Sequence, residues 1–144
     1  MTRLLIDSSV LIKWLHSHGE TEIQEARSIR TAHLAGDVAG RIIDLALYDV
    51  GNVLLRALRW PSNDVADQLD DLLTICGAPL TMTAEWFRFA AHLAGEHQLS
   101  FYDASWAAAT GALQIPLISA NSRLLAAGLA ESPTDIAHRL RLPR

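Results

Sequence analysis

Leu4-Leu5-Ile6-Asp7-Ser8-Ser9-Val10 decides the reading of this chain. Bulky apolar residues run straight into a carboxylate and two hydroxyls. Such a run reads as a buried strand, parallel and covered on both faces. Val10, Leu11, Ile12, Trp14 and Leu15 continue it as a helix, which sets Asp7 at the carboxyl end of the strand. Open α/β sheets keep their ligand sites at that edge. The plainer alternative is that Asp7 or Ser8 caps the helix. Which role dominates depends on whether other carboxylates reach the same edge.

The remaining chain alternates in kind. Glu20 to Leu34 reads as a helix, acidic early and basic late, which suits its dipole. Gly40 to Ile43 is a short strand, and Asp44 is an N-cap for a helix to about Trp60, stopped by Pro61. Ser62-Asn63 opens a helix through about Ile75. Pro79 to Met82 is a strand, Thr83 caps a helix to about His97, and Ser100 to Leu113 is another. Ile115 to Ser119 is a strand whose Pro116 implies an amide the ladder does not need. Asn121 to Leu129 is a short helix, and Glu131 to Arg144 is expected to be a strand or an ordered tail. This order gives an α/β fold with a mainly parallel sheet.

With 144 residues the chain is expected to form one domain over 1–144, and 50% hydrophobic content supplies a sizeable core. Net charge is -4, which lacks the global basic footprint of nucleic-acid binders. A cluster of site carboxylates would lower net charge and be offset by bound metal. Cys76 is the single cysteine, so an internal disulfide and a cysteine-rich metal site are excluded. The apolar start is interrupted by Asp7 and Lys13 and has no signal-peptide cleavage site, and no run reaches membrane-spanning length. A cytoplasmic location is the expectation.

Four polar positions fall where they can overhang one sheet edge: Asp7, Asp49, Asp103 and Asn121. Each has a plainer alternative: a solvated helix surface for Asp49, the helix N-terminus for Asp103, an N-cap for Asn121. Brought together, the carboxylates would raise one another's pKa. A hard divalent cation resolves that conflict, since Mg²⁺ takes oxygen ligands and keeps several waters. With a phosphate as a further ligand, the arrangement supports attack of metal-activated water on phosphorus.

Four blocks carry a resemblance: Leu4 to Trp14 (LLIDSSVLIKW), Leu47 to Leu55 (LYDVGNVLL), Leu99 to Ala108 (LSFYDASWAA) and Ile115 to Leu125 (IPLISANSRLL). Together they resemble PIN-domain ribonucleases, in particular the VapC-type toxins of bacterial toxin–antitoxin pairs. The resemblance implies a three-layer α/β/α sandwich and an acidic quartet around Mg²⁺ or Mn²⁺. Asp7 and Asp103 match outright; Asp49 stands where the family usually has Glu, and Asn121 where it usually has a fourth Asp. Ser8 and Ser119 match supporting hydroxyl positions.

The implied substrate is a structured RNA, a tRNA or ribosomal RNA, and the implied partners are an antitoxin and a second copy of the chain. Lys13 and Arg123 are candidate phosphate contacts, and Tyr102 or Trp14 can stack on a base or pack inward. Trp14, Leu54, Leu55, Leu58 and Trp60 include candidates for an antitoxin groove. Trp86 to Phe89 and Trp106 are candidates for a dimer surface. The expected function is a metal-dependent endoribonuclease. The alternative, motivated by Asn121 and Asp49, is a PIN-like binding module with weakened catalysis that binds RNA or sequesters an antitoxin. A receiver domain or another phosphohydrolase fits less well, because Asp7 lacks a paired acid beside it and no GxxxxGK phosphate loop is present.

Overall fold

The computed structural model describes residues 1–143. The first strand, β1 (Thr2–Ile6), is central in a parallel sheet of order β2-β1-β3, with β2 at Val38–Arg41 and β3 at Leu117–Ile118. Leu5 lies opposite Arg41 on one side and Leu117 on the other. Successive strand residues face opposite sides of a sheet, yet Leu4, Leu5 and Ile6 are all fully buried. Both faces of β1 are therefore covered, as the unbroken apolar run requires. The helices around the sheet are α1 (Ser8–Leu15), α2 (Ile23–Leu34), α3 (Leu45–Asn52), α4 (Ser62–Cys76), α5 (Ala84–His97), α6 (Phe101–Leu113), α7 (Ser122–Ala126) and α8 (Pro133–Arg139). The α/β class and the parallel central sheet expected from the sequence are what the chain forms.

Several expected elements change. The second strand begins at Val38, two residues early, while Ile42 and Ile43 sit fully buried beyond its end. Pro79 to Met82 shrinks to one parallel bridge, Ile43 to Leu80, held by Leu80 N–H to the Ile42 carbonyl at 2.8 Å. Asp44 makes no side-chain cap. The long helix expected after it divides into α3 and a π-helical turn, Val53–Ala57, which ends near Arg59 at φ +56°. The fourth strand is confined to Leu117–Ile118, and Pro116 gives its carbonyl to Leu5 N–H at 2.8 Å without needing an amide. The helix after it stops at Ala126.

The C-terminal segment is neither strand nor tail. Glu131 forms one bridge to Ile118, after which Ser132 caps α8 through Asp135 N–H, with Pro133 at its start. Thr134 donates from N–H and Oγ1 to Glu22 Oε2 at 2.9 and 2.6 Å, tying α8 to the start of α2. Arg144 of the expected tail lies outside the described residues. Among those residues no helix is long and apolar enough to cross a membrane.

Leu5→Ala removes a fully buried side chain from the middle of the sheet. It is expected to cost about 2–5 kcal/mol in urea unfolding. A loss below about 1 kcal/mol would contradict the central placement of β1.

Candidate functional site

The strand order puts β2 and β3 on opposite sides of β1, so the carboxyl end of β1 is the point where the winding of the sheet reverses. Ligand crevices of open α/β sheets form at that point. Asp7 follows β1 directly, and its N–H is held by the Ile118 carbonyl of β3 at 3.1 Å. A recess of about 290 Å³ opens there, lined by Asp7, Ser8, Ser9, Ile12, Asp49, Asn52, Val53, Asp103, Trp106 and Asn121. Elements scattered over more than a hundred residues of chain thus bring all four candidate polar residues to one cleft.

Asp7 is the buried member, 4% exposed. Its Oδ1 accepts from the N–H of Ser9 at 3.0 Å and from the Ser9 hydroxyl, so it also caps α1. Both readings of Asp7 therefore hold in one side chain. Burial pushes its carboxyl up to about 6; the hydroxyls of Ser119 and Ser9 and the amides of Val10 and Ser9 pull the other way without cancelling it. Ser9 is pinned in turn, since its Oγ accepts from Ala120 N–H at 2.9 Å. Asp49 is half-buried on α3, and Ser8 Oγ donates to its Oδ2 at 2.9 Å. Its pKa is raised first by burial and also by the charge of Asp103, while Ser8 opposes the rise. Asp49 and Asp103 are thus near enough to repel. Asp103 stands in the first turn of α6, which Ser100 caps.

The donor set is all oxygen: three carboxylates beside the hydroxyls of Ser8 and Ser9. Among the described residues no three carboxylate, imidazole or thiol groups stand close enough to make a closed ion cage. The quartet lines a cleft and does not form a cage. Mg²⁺ is commonly held by one or two carboxylates, retained waters and substrate phosphates, and the cleft suits that mode.

Three expected assignments are corrected. Lys13 is 4% exposed and bonds Glu20 Oε1 at 3.0 Å and the Thr21 carbonyl at 2.7 Å, so its charge is spent inside the protein and not on a phosphate. Trp106 is 2% exposed and forms a wall of the cleft, which removes it from any dimer surface. Leu54 is fully buried and is removed from any partner groove, whereas Trp14, its indole N–H on the Ala26 carbonyl, shows only an edge in a recess with Leu15, Arg30 and Gln68. Arg123 is exposed and lies in a separate recess with His97 and Gln98. Ser119 is fully buried; its hydroxyl pulls the Asp7 pKa down, in keeping with the expected supporting role, and its Oγ accepts from Asn121 N–H at 2.9 Å.

Ser9, Asn52 and Trp106 also line the cleft, although none of them is an expected site residue. Helical spacing carries the signal for two of them. Asn52 lies three residues past Asp49 and Trp106 three past Asp103, which places each pair on one helix face. Ser9 lies two residues past Asp7, the spacing of a local carboxylate-to-amide turn.

The chain matches no family model and no curated protein sequence. Solved structures share its fold. PAE2754 of Pyrobaculum aerophilum is 22% identical with a TM-score of 0.67, covering 97% of each chain. A chain of a toxin-antitoxin complex from Klebsiella pneumoniae is 17% identical with a TM-score of 0.63, over 90% of this chain and 97% of that one.

The burial of Asp7 has a consequence for stability. Its carboxyl titrates near 6 in the fold against 3.8 for the free group. Between those values the folded chain binds more protons than the unfolded one, so stability falls as pH rises through that window. Asp7→Asn keeps the acceptor for Ser9 and removes the charge. In EDTA the variant is expected to be more stable than wild type at pH 7, by up to about 3 kcal/mol, with the gap closing near pH 4. Thermal unfolding across that range measures it, and a less stable variant at pH 7 would contradict the buried-charge account.

Proposed function

We propose that the protein is a metal-dependent endoribonuclease of the PIN-domain type and the toxin of a toxin–antitoxin pair. The observation that carries the reading is the convergence of Asp7, Asp49 and Asp103, from three separate elements, on one cleft at the reversal point of the sheet. The four sequence blocks resembling that family contribute every one of these acids. The fold shared with a chain of a toxin-antitoxin complex is consistent with it.

Asp49 and Asp103 would offer oxygens to Mg²⁺ or Mn²⁺ from two helices, with Asp7 at the base of the cleft. A bound divalent cation supplies activation of water and neutralisation of charge at the phosphate. The side chains of this protein supply placement. Ser8 fixes one oxygen of Asp49, leaving the other free for the cleft. Ser9, joined to Ala120, locks Asp7 between α1 and the segment after β3. Trp106, Ile12 and Val53 give the cleft an apolar wall that limits water around the reacting phosphate. The open cleft suits a phosphodiester chain passing across it.

The antitoxin and a second copy of the chain are proposed partners on the same grounds. Leu55, 41% exposed, with Leu58 and Trp60 remains as the surface for an antitoxin segment. Phe87 and Phe89, at 47% and 40% exposure, remain for the dimer. The binding-module alternative is favoured by one observation, that among the described residues no three acids form a closed cage.

Purified protein incubated with total cellular RNA separates the two readings. Mg²⁺ or Mn²⁺ is expected to yield discrete fragments, and EDTA none. Asp7→Asn and Asp103→Asn are each expected to lower the rate at least about hundredfold, the scale of removing a group that stabilises transition-state charge. RNA bound but left intact under all conditions would establish the binding module instead.

A further inference from the structure

Asn121 stands where the resembling family carries an acid, and its geometry decides which end of its amide serves the cleft. Oδ1 accepts from the backbone N–H of Arg123 at 2.9 Å and of Leu124 at 3.3 Å. An amide oxygen has two lone pairs, and both are used. Turning the amide over would set its NH₂ against two N–H donors, so the capping pair fixes its orientation. The residue is also held from its own backbone, where N–H meets Ser119 Oγ at 2.9 Å. Nδ2 is the end left over. Asn121 is half-buried and lines the cleft with Asp7, Asp49 and Asp103, and among the described residues Nδ2 donates to no acceptor.

We infer that Asn121 is a substrate-binding residue whose Nδ2 donates to a non-bridging oxygen of the bound phosphodiester, and that it is not an oxygen ligand of a metal. The inference rests on the ribonuclease reading of the cleft. Its chemistry follows from the neighbours. A phosphodiester entering a cleft of three carboxylates meets repulsion on every acidic side. A neutral amide donor relieves that on one side, where a fourth carboxylate would add to it. The expected metal-ligand role of Asn121 is thereby replaced by an anion-recognising one.

Two substitutions separate the roles, because Asp and Ser both serve well as N-caps. Asn121→Asp keeps the acceptor for Arg123 and Leu124, loses the donor and adds a charge. Asn121→Ser keeps an acceptor and loses the reach. The probe is a fluorescein-labelled oligoribonucleotide of mixed sequence, read by anisotropy with Ca²⁺ in place of Mg²⁺, beside Mn²⁺ binding without RNA and thermal unfolding. Asn121→Asp is expected to weaken RNA binding about tenfold or more, the scale of a lost hydrogen bond to a charged group. Asn121→Ser should weaken RNA binding in the same direction while leaving Mn²⁺ affinity and the melting temperature unchanged. RNA affinity that is unchanged or higher in Asn121→Asp overturns the inference, and a Mn²⁺ affinity that falls in Asn121→Ser restores the metal-ligand role. Wild-type protein that binds no RNA overturns the ribonuclease reading and this inference together, which distinguishes the two failures.

Discussion

The structure depends on holding one carboxylate out of water. Asp7 sits at the end of the central strand with 4% of its surface exposed. A buried carboxyl is tolerated only if it is hydrogen-bonded or neutralised. The fold answers with a cluster of small polar groups: Ser9 on the carboxylate, Ala120 on Ser9, Ser119 beneath Asn121. These bonds join the start of α1 to the segment after β3, more than a hundred residues away. The same bonds that make Asp7 tolerable therefore close the carboxyl edge of the sheet. The raised pKa that remains shows the compensation to be incomplete, and a proton, or the cation proposed for this cleft, would complete it. Strongly perturbed carboxyls in clefts are a recognised mark of functional sites.

The rest of the architecture serves that edge. Trp14 anchors α1 to α2 through the Ala26 carbonyl, and Arg27 and Arg30 bond the carbonyls of Lys13 and Trp14, the residues that close α1. The end of α1 is thus satisfied by α2 side chains, and Ser8, at its other end, can orient Asp49. The π-helical turn after α3 begins at Val53, a cleft residue. Single π turns inside helices are frequent at functional sites, and this one re-aims the chain just past Asn52.

What the sequence showed clearly was whatever a local pattern controls. The run Leu4 to Ile6 announced a strand covered on both faces, and Thr83 and Ser100 announced helix starts that formed as expected. The three acids could be singled out because each lay near an element start or on a helix face. Elsewhere tertiary context won. Pro79 to Met82 has strand composition, but only Leu80 finds a partner backbone. Asp44 looks like a cap, yet its backbone is already helical and leaves its side chain no amide to accept. Ser132-Pro133-Thr134-Asp135 is a helix start in its own right, masked by the polar composition that suggested a tail. Lys13 illustrates the limit most plainly. An isolated lysine near a site looks like a phosphate ligand, and nothing local shows that Glu20 and Thr21 fold back to enclose it. Asn121 was visible as both cap and site residue, but which atom faced which way could be read only from the amides of Arg123 and Leu124.

The proposed ribonuclease function requires the cleft of Asp7, Asp49 and Asp103 to bind a divalent cation. Titration of EDTA-stripped protein with Mn²⁺, followed by electron paramagnetic resonance of the free ion, tests it without any substrate. Saturable binding at submillimolar affinity, lost in Asp103→Asn, is expected. Binding absent from wild type, or equal in the two proteins, would contradict it.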